Sequence, residues 1–210
     1  MDLNTFLLFA FAAFMLNITP GNDMVFVSTH ALSQGTRAGI MASIGIFIGC
    51  LVHVLAAVLG VSAIIAQSPF LFDALKYSGA GYLIYIGVRS LLAKAKVLDI
   101  QTIKTENTDE QIIKKGALTN ILNPKVALFF LAFLPQFLPP QYDSTLTAFW
   151  ILFLGIWFNI SGTLVNFAVA FAFGRLGNII QHYPSFPIWQ ERFTGLVLIG
   201  LGLKMAFLKK

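Results

Sequence analysis

Charge is scarce in this chain. Only 11% of its 210 residues are Asp, Glu, Lys or Arg, while 57% are hydrophobic; soluble domains carry about 25% charged residues. No polar stretch is long enough to fold as a soluble domain, so 1–210 reads as one all-α integral membrane domain. Cysteine is nearly absent. The single Cys50, inside an apolar segment, excludes an intrachain disulfide and a cysteine-rich metal cluster, and says nothing about redox compartment. HExxH, GxSxG and a pair of intramembrane aspartates are also missing, which argues against an enzyme. The first apolar run lacks the basic n-region and the small-residue cleavage site of a signal peptide, so it is expected to stay in the mature protein. The net charge of +5 does not point to nucleic acid. Its Lys and Arg residues sit at the ends of apolar segments, where they orient helices and meet anionic lipid headgroups. Nothing calls for a cofactor.

What remains is apolar sequence in spans of about 20 residues, the length that crosses a bilayer. Six segments qualify: 3–32, 39–66, 70–92, 116–138, 145–173 and 193–208, the last extending back towards Trp189. Between them lie short turns at 30–39, 67–69, 139–144 and 174–190, and a longer polar stretch at 94–115 that reads as a flexible linker. Arg89, Lys94, Lys96, Lys104, Lys114 and Lys115 gather at that linker, so the positive-inside rule makes it cytoplasmic. Both termini then fall outside, although Lys209 and Lys210 argue against this for the C-terminus.

The two halves resemble each other. Lys76-Tyr77-Ser78-Gly79 with Gly87 matches Arg192-Phe193-Thr194-Gly195 with Gly202. Asn17-Ile18-Thr19-Pro20 matches Ile121-Leu122-Asn123-Pro124. Three spans per half, first repeat 1–93 and second repeat 116–210, would make the second half inverted relative to the first, a transporter architecture. Chance agreement among small-residue patterns is the alternative. By hydropathy both prolines lie nearer the cytoplasmic side, which an inverted repeat does not predict.

The stretch Asn17 to Met24 interrupts an otherwise apolar run. Pro20 removes a backbone donor and Gly21 weakens the helix. Such a break survives in hydrocarbon only where protein buries it or it lines a wet cavity. Asp23 follows at once, and an intramembrane carboxylate points to function; the alternative is that it caps the restarting helix. Asn123-Pro124-Lys125 is a second break, whose free amides suit a carboxylate. Lys125 could add its charge there, but snorkelling to the headgroups is favoured. His53 can shuttle a proton or tie helices together. Cys50 and His53 are too few for a metal site. Asn159 and Asn166, seven residues apart on one helix face, should look into the bundle with Ser161 and Thr163. For these, interhelical hydrogen bonds at about 0.6–2 kcal/mol each are favoured over substrate contact. Gly45 and Gly49 form a GxxxG pair for close helix packing.

Four blocks in order resemble the lysine-exporter (LysE/RhtB) family of bacterial amino-acid exporters. They are Thr19-Pro20-Gly21 with Asp23-Met24; Ser33 to Gly39 continuing to Gly45, Gly49 and His53; Leu75 to Leu83 with Gly87-Val88-Arg89; and Gly116 to Phe130 with Pro135-Gln136-Phe137. The resemblance implies a six-helix inner-membrane carrier that exports amino acids on the proton gradient. Asn22 stands where the family often has proline, and Cys50 where many members have an acid, which puts substrate class in doubt. On this reading Thr19, Gly21, Asn22, Asp23, Asn123 and Lys125 bind substrate and Asp23 and His53 handle the proton. Pro20 and Pro124 are the joints. The partners are an amino acid and lipid, and a carrier this small can pair as a homodimer. A divalent-cation or other small-solute exporter of the same fold is the alternative, though a cation exporter would want more intramembrane carboxylates, and a non-transporting assembly factor would not need a Pro-Gly break carrying a carboxylate.

Overall fold

A computed structural model describes residues 1–67, 69–92, 107–138, 143–180 and 185–207. These residues are helical: α1 (Leu3–Ile18), α2 (Asn22–Gln67), α3 (Pro69–Leu91), α4 (Asp109–Ile121), α5 (Pro124–Leu128), α6 (Ser144–Ile180) and α7 (Ser185–Phe207). After α5 the chain widens into a π-helical turn, Phe129–Phe133, then tightens into a 3-10 turn, Leu134–Phe137.

α2 is two helices folded against each other. Gly35 alone leaves helical geometry, at φ 84° and ψ 176°, a region open to glycine and closed to side chains. A Cβ on Gly39 would lie 2.8 Å from the Cβ of Ala31, whereas eight residues of straight helix would separate the two by about 12 Å. The chain therefore reverses at Gly35, giving arms 22–34 and 36–67. The polar turn expected over 30–39 shrinks to one residue, because His30 and Gln34 stay in the first arm.

Close contacts fix the directions of the other helices. Gly45 and Gly49 receive the backbone of Ile113 and Ala117, and Arg37 meets Asp109 at 2.7 Å, so α4 runs parallel to the second arm of α2. The GxxxG pair does the packing work expected of it. α6 runs antiparallel to that arm: Gly39 touches Ala170, Gly174 touches Thr36, and Gly155 touches Val54. α3 and α7 also pair antiparallel, Gly87 against Gly195 and Gly202 against the carbonyl of Ala80.

The linker is shorter than expected. Residues 93–106 lie outside the described residues, but α4 already begins at Asp109, started by a capping box in which Thr108 and Gln111 satisfy each other's backbone amides. This also answers the placing of the prolines. α4 begins well before 116, so Pro124 follows a full helix rather than opening one, and the two breaks meet.

Two stretches, Asn22–Gly60 and Thr145–Arg175, are long and apolar enough to cross a bilayer, and Asp109–Ile121 with Pro124–Phe137, bent by 47°, makes a third if taken as one span. Leu3–Ile18 and Gly195–Lys204 are shorter apolar helices. Among the described residues, length and apolarity alone thus give two or three crossings rather than six. Around the breaks the core is aromatic: Phe9, Phe129, Phe130 and Phe158 are at most 4% exposed, and the Phe129 and Phe158 rings stack at 4.1 Å.

Candidate functional site

α1 ends at Thr19 because Pro20 has no N–H to continue the ladder. Thr19 is extended at φ −65° and ψ 123°, and its hydroxyl donates back to the Met15 carbonyl at 2.8 Å. The carbonyls of Leu16 and Thr19 are left at the negative end of the α1 dipole. Lys125 fills that position: its Nζ donates to Leu16 O at 3.2 Å and to Thr19 O at 3.1 Å. The expected snorkel to the headgroups is corrected, because the broken end of α1 supplies nearer acceptors. Gly21 makes room, since a Cβ there would lie 3.3 Å from the Lys125 ammonium.

Asp23 stands in the first turn of α2, where the positive dipole end favours a carboxylate. Its Oδ2 accepts from Asn120 Nδ2 at 2.8 Å. The Oδ1 atoms of Asp23 and Asn120 are both buried without a partner. Asn120 is also held through its backbone, whose carbonyl lies 2.9 Å from His53 Nε2. A carbonyl only accepts, so that nitrogen carries the hydrogen. The His53 ring lies flat against Phe130 at 6.1 Å.

The two breaks thus face each other across antiparallel chains. Lys125, after the second break, reaches the carbonyls before the first. Asp23, after the first, takes the amide of Asn120, before the second. Between them lies a cavity of about 30 Å³ that both charges line, room for about two water molecules. Among the described residues the two charges face this cavity without pairing with each other.

The remaining expected residues divide. Thr19 lines the cavity, with Cys50. Asn123 is buried beside it, but its Oδ1 caps α5 by accepting from the Lys125 amide at 3.0 Å. One of the amides expected to receive a carboxylate is therefore already taken. Asn22 is exposed and does not line the cavity. Asn159 and Asn166 both line it, as their spacing implies. Asn159 ties α6 to α2 through the Phe47 carbonyl at 3.1 Å, while Ser161 and Thr163 bond back to their own helix. Two residues were missed by sequence reasoning. Asn17 links α1 to α6 through Phe158 O and Ser161 Oγ, and Asn120 joins Asp23 to His53. Both are amides in apolar runs, a visible signal without a visible partner. Among the described residues no three metal-ligating side chains cluster.

Paired helix breaks, buried in a membrane domain and holding opposite charges over a polar cavity, are the build of a membrane translocator. The family model described as LysE type translocator matches residues 14–209, and the chain belongs to that family. It is a multi-pass protein of the bacterial inner membrane. A Vibrio cholerae relative named an uncharacterized membrane protein is 30% identical across 100% of both chains. The Bacillus subtilis uncharacterized membrane protein YrhP is 31% identical over 91% of this chain and 93% of its own. A leucine efflux protein of Klebsiella pneumoniae is 27% identical over 97% of this chain and 95% of its own. No solved structure matches the chain.

Proposed function

We propose that this protein is a secondary carrier that exports a zwitterionic amino acid from the cytoplasm, coupled to protons. The observation that carries this reading is the unpaired arrangement of Asp23 and Lys125 across one cavity. Lys125 has three N–H donors and spends two on carbonyls, so one is left for a carboxylate. Asp23 and Asn120 each keep an acceptor oxygen unpartnered, a seat for an ammonium. A zwitterion laid between them completes both ends at once. The family membership and the leucine efflux relatives support the same reading. A divalent cation suits the site less well, because the Lys125 ammonium would repel it.

The six-span, inverted 3+3 architecture belongs to this proposal. Under the repeat, the contact of Gly87 with Gly195 maps onto one of Gly202 with Gly79, and Gly202 meets the neighbouring Ala80. The breaks at Pro20 and Pro124 are the joints of alternating access. Their opening is required, since a cavity of about 30 Å³ has no room for an amino acid. The coupling proton is carried by Asp23, with His53 one amide away. Lipid covers the exposed apolar faces of the helices, and this surface allows two copies to pair.

The test is counterflow of a panel of labelled amino acids in proteoliposomes at two internal pH values. Exchange of one class, lost in Asp23→Ala, supports the carrier and its site. Folded protein that exchanges no amino acid sinks the reading.

A further inference from the structure

We propose that the cavity seats an amino acid with an uncharged, apolar side chain, and that Cys50 is the residue that sets this preference. The inference rests on the exporter reading and adds the substrate class.

The argument is a count of charge. The ionisable side chains lining the cavity are Asp23, Lys125 and Cys50. One carboxylate and one ammonium sum to zero, as do the two ends of a zwitterion. Once the substrate's ammonium faces the free oxygens of Asp23 and Asn120 and its carboxylate faces Lys125, no charge is left over. Asn120 is 2% exposed with its Oδ1 unpartnered, so this seat is built and waiting for a donor. A lysine or arginine side chain would bring a second cation beside Lys125 with no second carboxylate to meet it. A glutamate would bring a second anion with no further cation. Unpaired charge in such a place is strongly disfavoured.

What remains for the side chain is a wall without further charge, part of it apolar. Met24, Ile46, Cys50, Val126 and Phe158 line the cavity beyond the head-group seat. Asn17 spends both amide N–H groups, on the Phe158 carbonyl and the Ser161 hydroxyl, and Asn159 spends one of its two on the Phe47 carbonyl. Cys50, 3% exposed, is a weakly polar thiol on this wall. A carboxylate at the same position would give the cavity a net negative charge and a partner for a cationic side chain.

Two readouts test this. In counterflow, labelled leucine should be displaced by unlabelled leucine about tenfold more effectively than by lysine or glutamate. Cys50→Asp should raise the ratio of lysine to leucine exchange by about tenfold. Because Cys50 is the chain's one cysteine, its alkylation by N-ethylmaleimide reads the same preference in the unaltered protein. Leucine should slow that reaction and lysine should not, whether or not Cys50→Asp folds. Lysine competing or protecting as well as leucine overturns the proposal, as does a folded Cys50→Asp variant with an unchanged ratio. Folded wild-type protein that exchanges no amino acid at all would overturn the exporter reading beneath it.

Discussion

A carboxylate and an ammonium that share a cavity without touching are each held by neutral partners, Asp23 by Asn120 and Lys125 by two carbonyls. Each still balances the other's charge in a poorly solvated place. Removing one should cost up to about 3–5 kcal/mol, because the other is left buried and uncompensated. Asp23→Asn and Lys125→Met should therefore each lower the melting temperature in detergent, and the double variant should recover much of the loss. A double variant no more stable than the worse single one would show that the charges do not interact. Transport should not recover with stability: Asp23→Asn should reduce counterflow by about 10- to 100-fold, the worth of one charge-assisted hydrogen bond. For His53, Gln can still donate to the Asn120 carbonyl but cannot carry a proton. His53→Gln should lower pH-driven accumulation about tenfold relative to exchange; an unchanged ratio would make His53 purely a positioning residue. Asp23 was legible in the sequence because a charge beside Pro-Gly stands out in an apolar run. Asn120 was not, since its partner is 97 residues away and only the crossing of α2 and α4 brings them together. Lys125 was misread for a related reason: the acceptors that hold it are made by the end of another helix.

At the scale of elements, glycine decides how close the helices come and where they turn. Gly35 sits at φ 84°, so Gly35→Ala should destabilise the α2 hairpin by about 1–3 kcal/mol. The measurement is thermal unfolding, and an unchanged midpoint would mean the turn does not need this geometry. A Cβ on Gly49 would run into the Ala117 carbonyl and lie 2.9 Å from the Asn120 Cβ. A valine there must push α4 away, costing about 1–3 kcal/mol, and should move Asn120 off Asp23. Gly49→Val should therefore lose exchange more steeply than Gly60→Val, since a Cβ on Gly60 meets nothing within 4 Å. Equal losses would remove α4 placement as the cause. The close-packing pair was readable from its spacing, whereas the start of α4 reads as linker. Thr108-Asp109-Glu110-Gln111 carries the capping-box pattern, but its acids and the lysines on either side make it look like linker. The reversal at Gly35 was readable only as a polar turn, because a single glycine does not state its φ.

For the whole molecule, the packing gathers the basic ends of several helices on one side. Arg37 beside the Gly35 turn meets Asp109 at the start of α4, Lys114 and Lys115 follow one turn later, and Gly174, next to Arg175, touches Thr36. The exposed Arg37–Asp109 pair adds only about 0–1 kcal/mol, so its value here is as a marker of position. Positive charge collected at one end argues that this end is cytoplasmic, and the helix directions then fix the rest. α1 and the first arm of α2 lead towards the Gly35 turn, which puts Leu3 on the far side. α7 is level with Gly87 at Gly195 and with Ala80 at Gly202, so it runs opposite to α3, and with Arg89 at the basic end Phe207 is expected on the far side. Two basic residues at the C-terminus, Lys209 and Lys210, pull against this, but the several cations at the other end outweigh them. An impermeant maleimide applied to intact spheroplasts should label Asp143→Cys, in the turn before α6, and leave Lys104→Cys unlabelled until the membrane is opened. The reverse pattern would turn the whole molecule over. It would also exchange the sides of the membrane that the two helix breaks face.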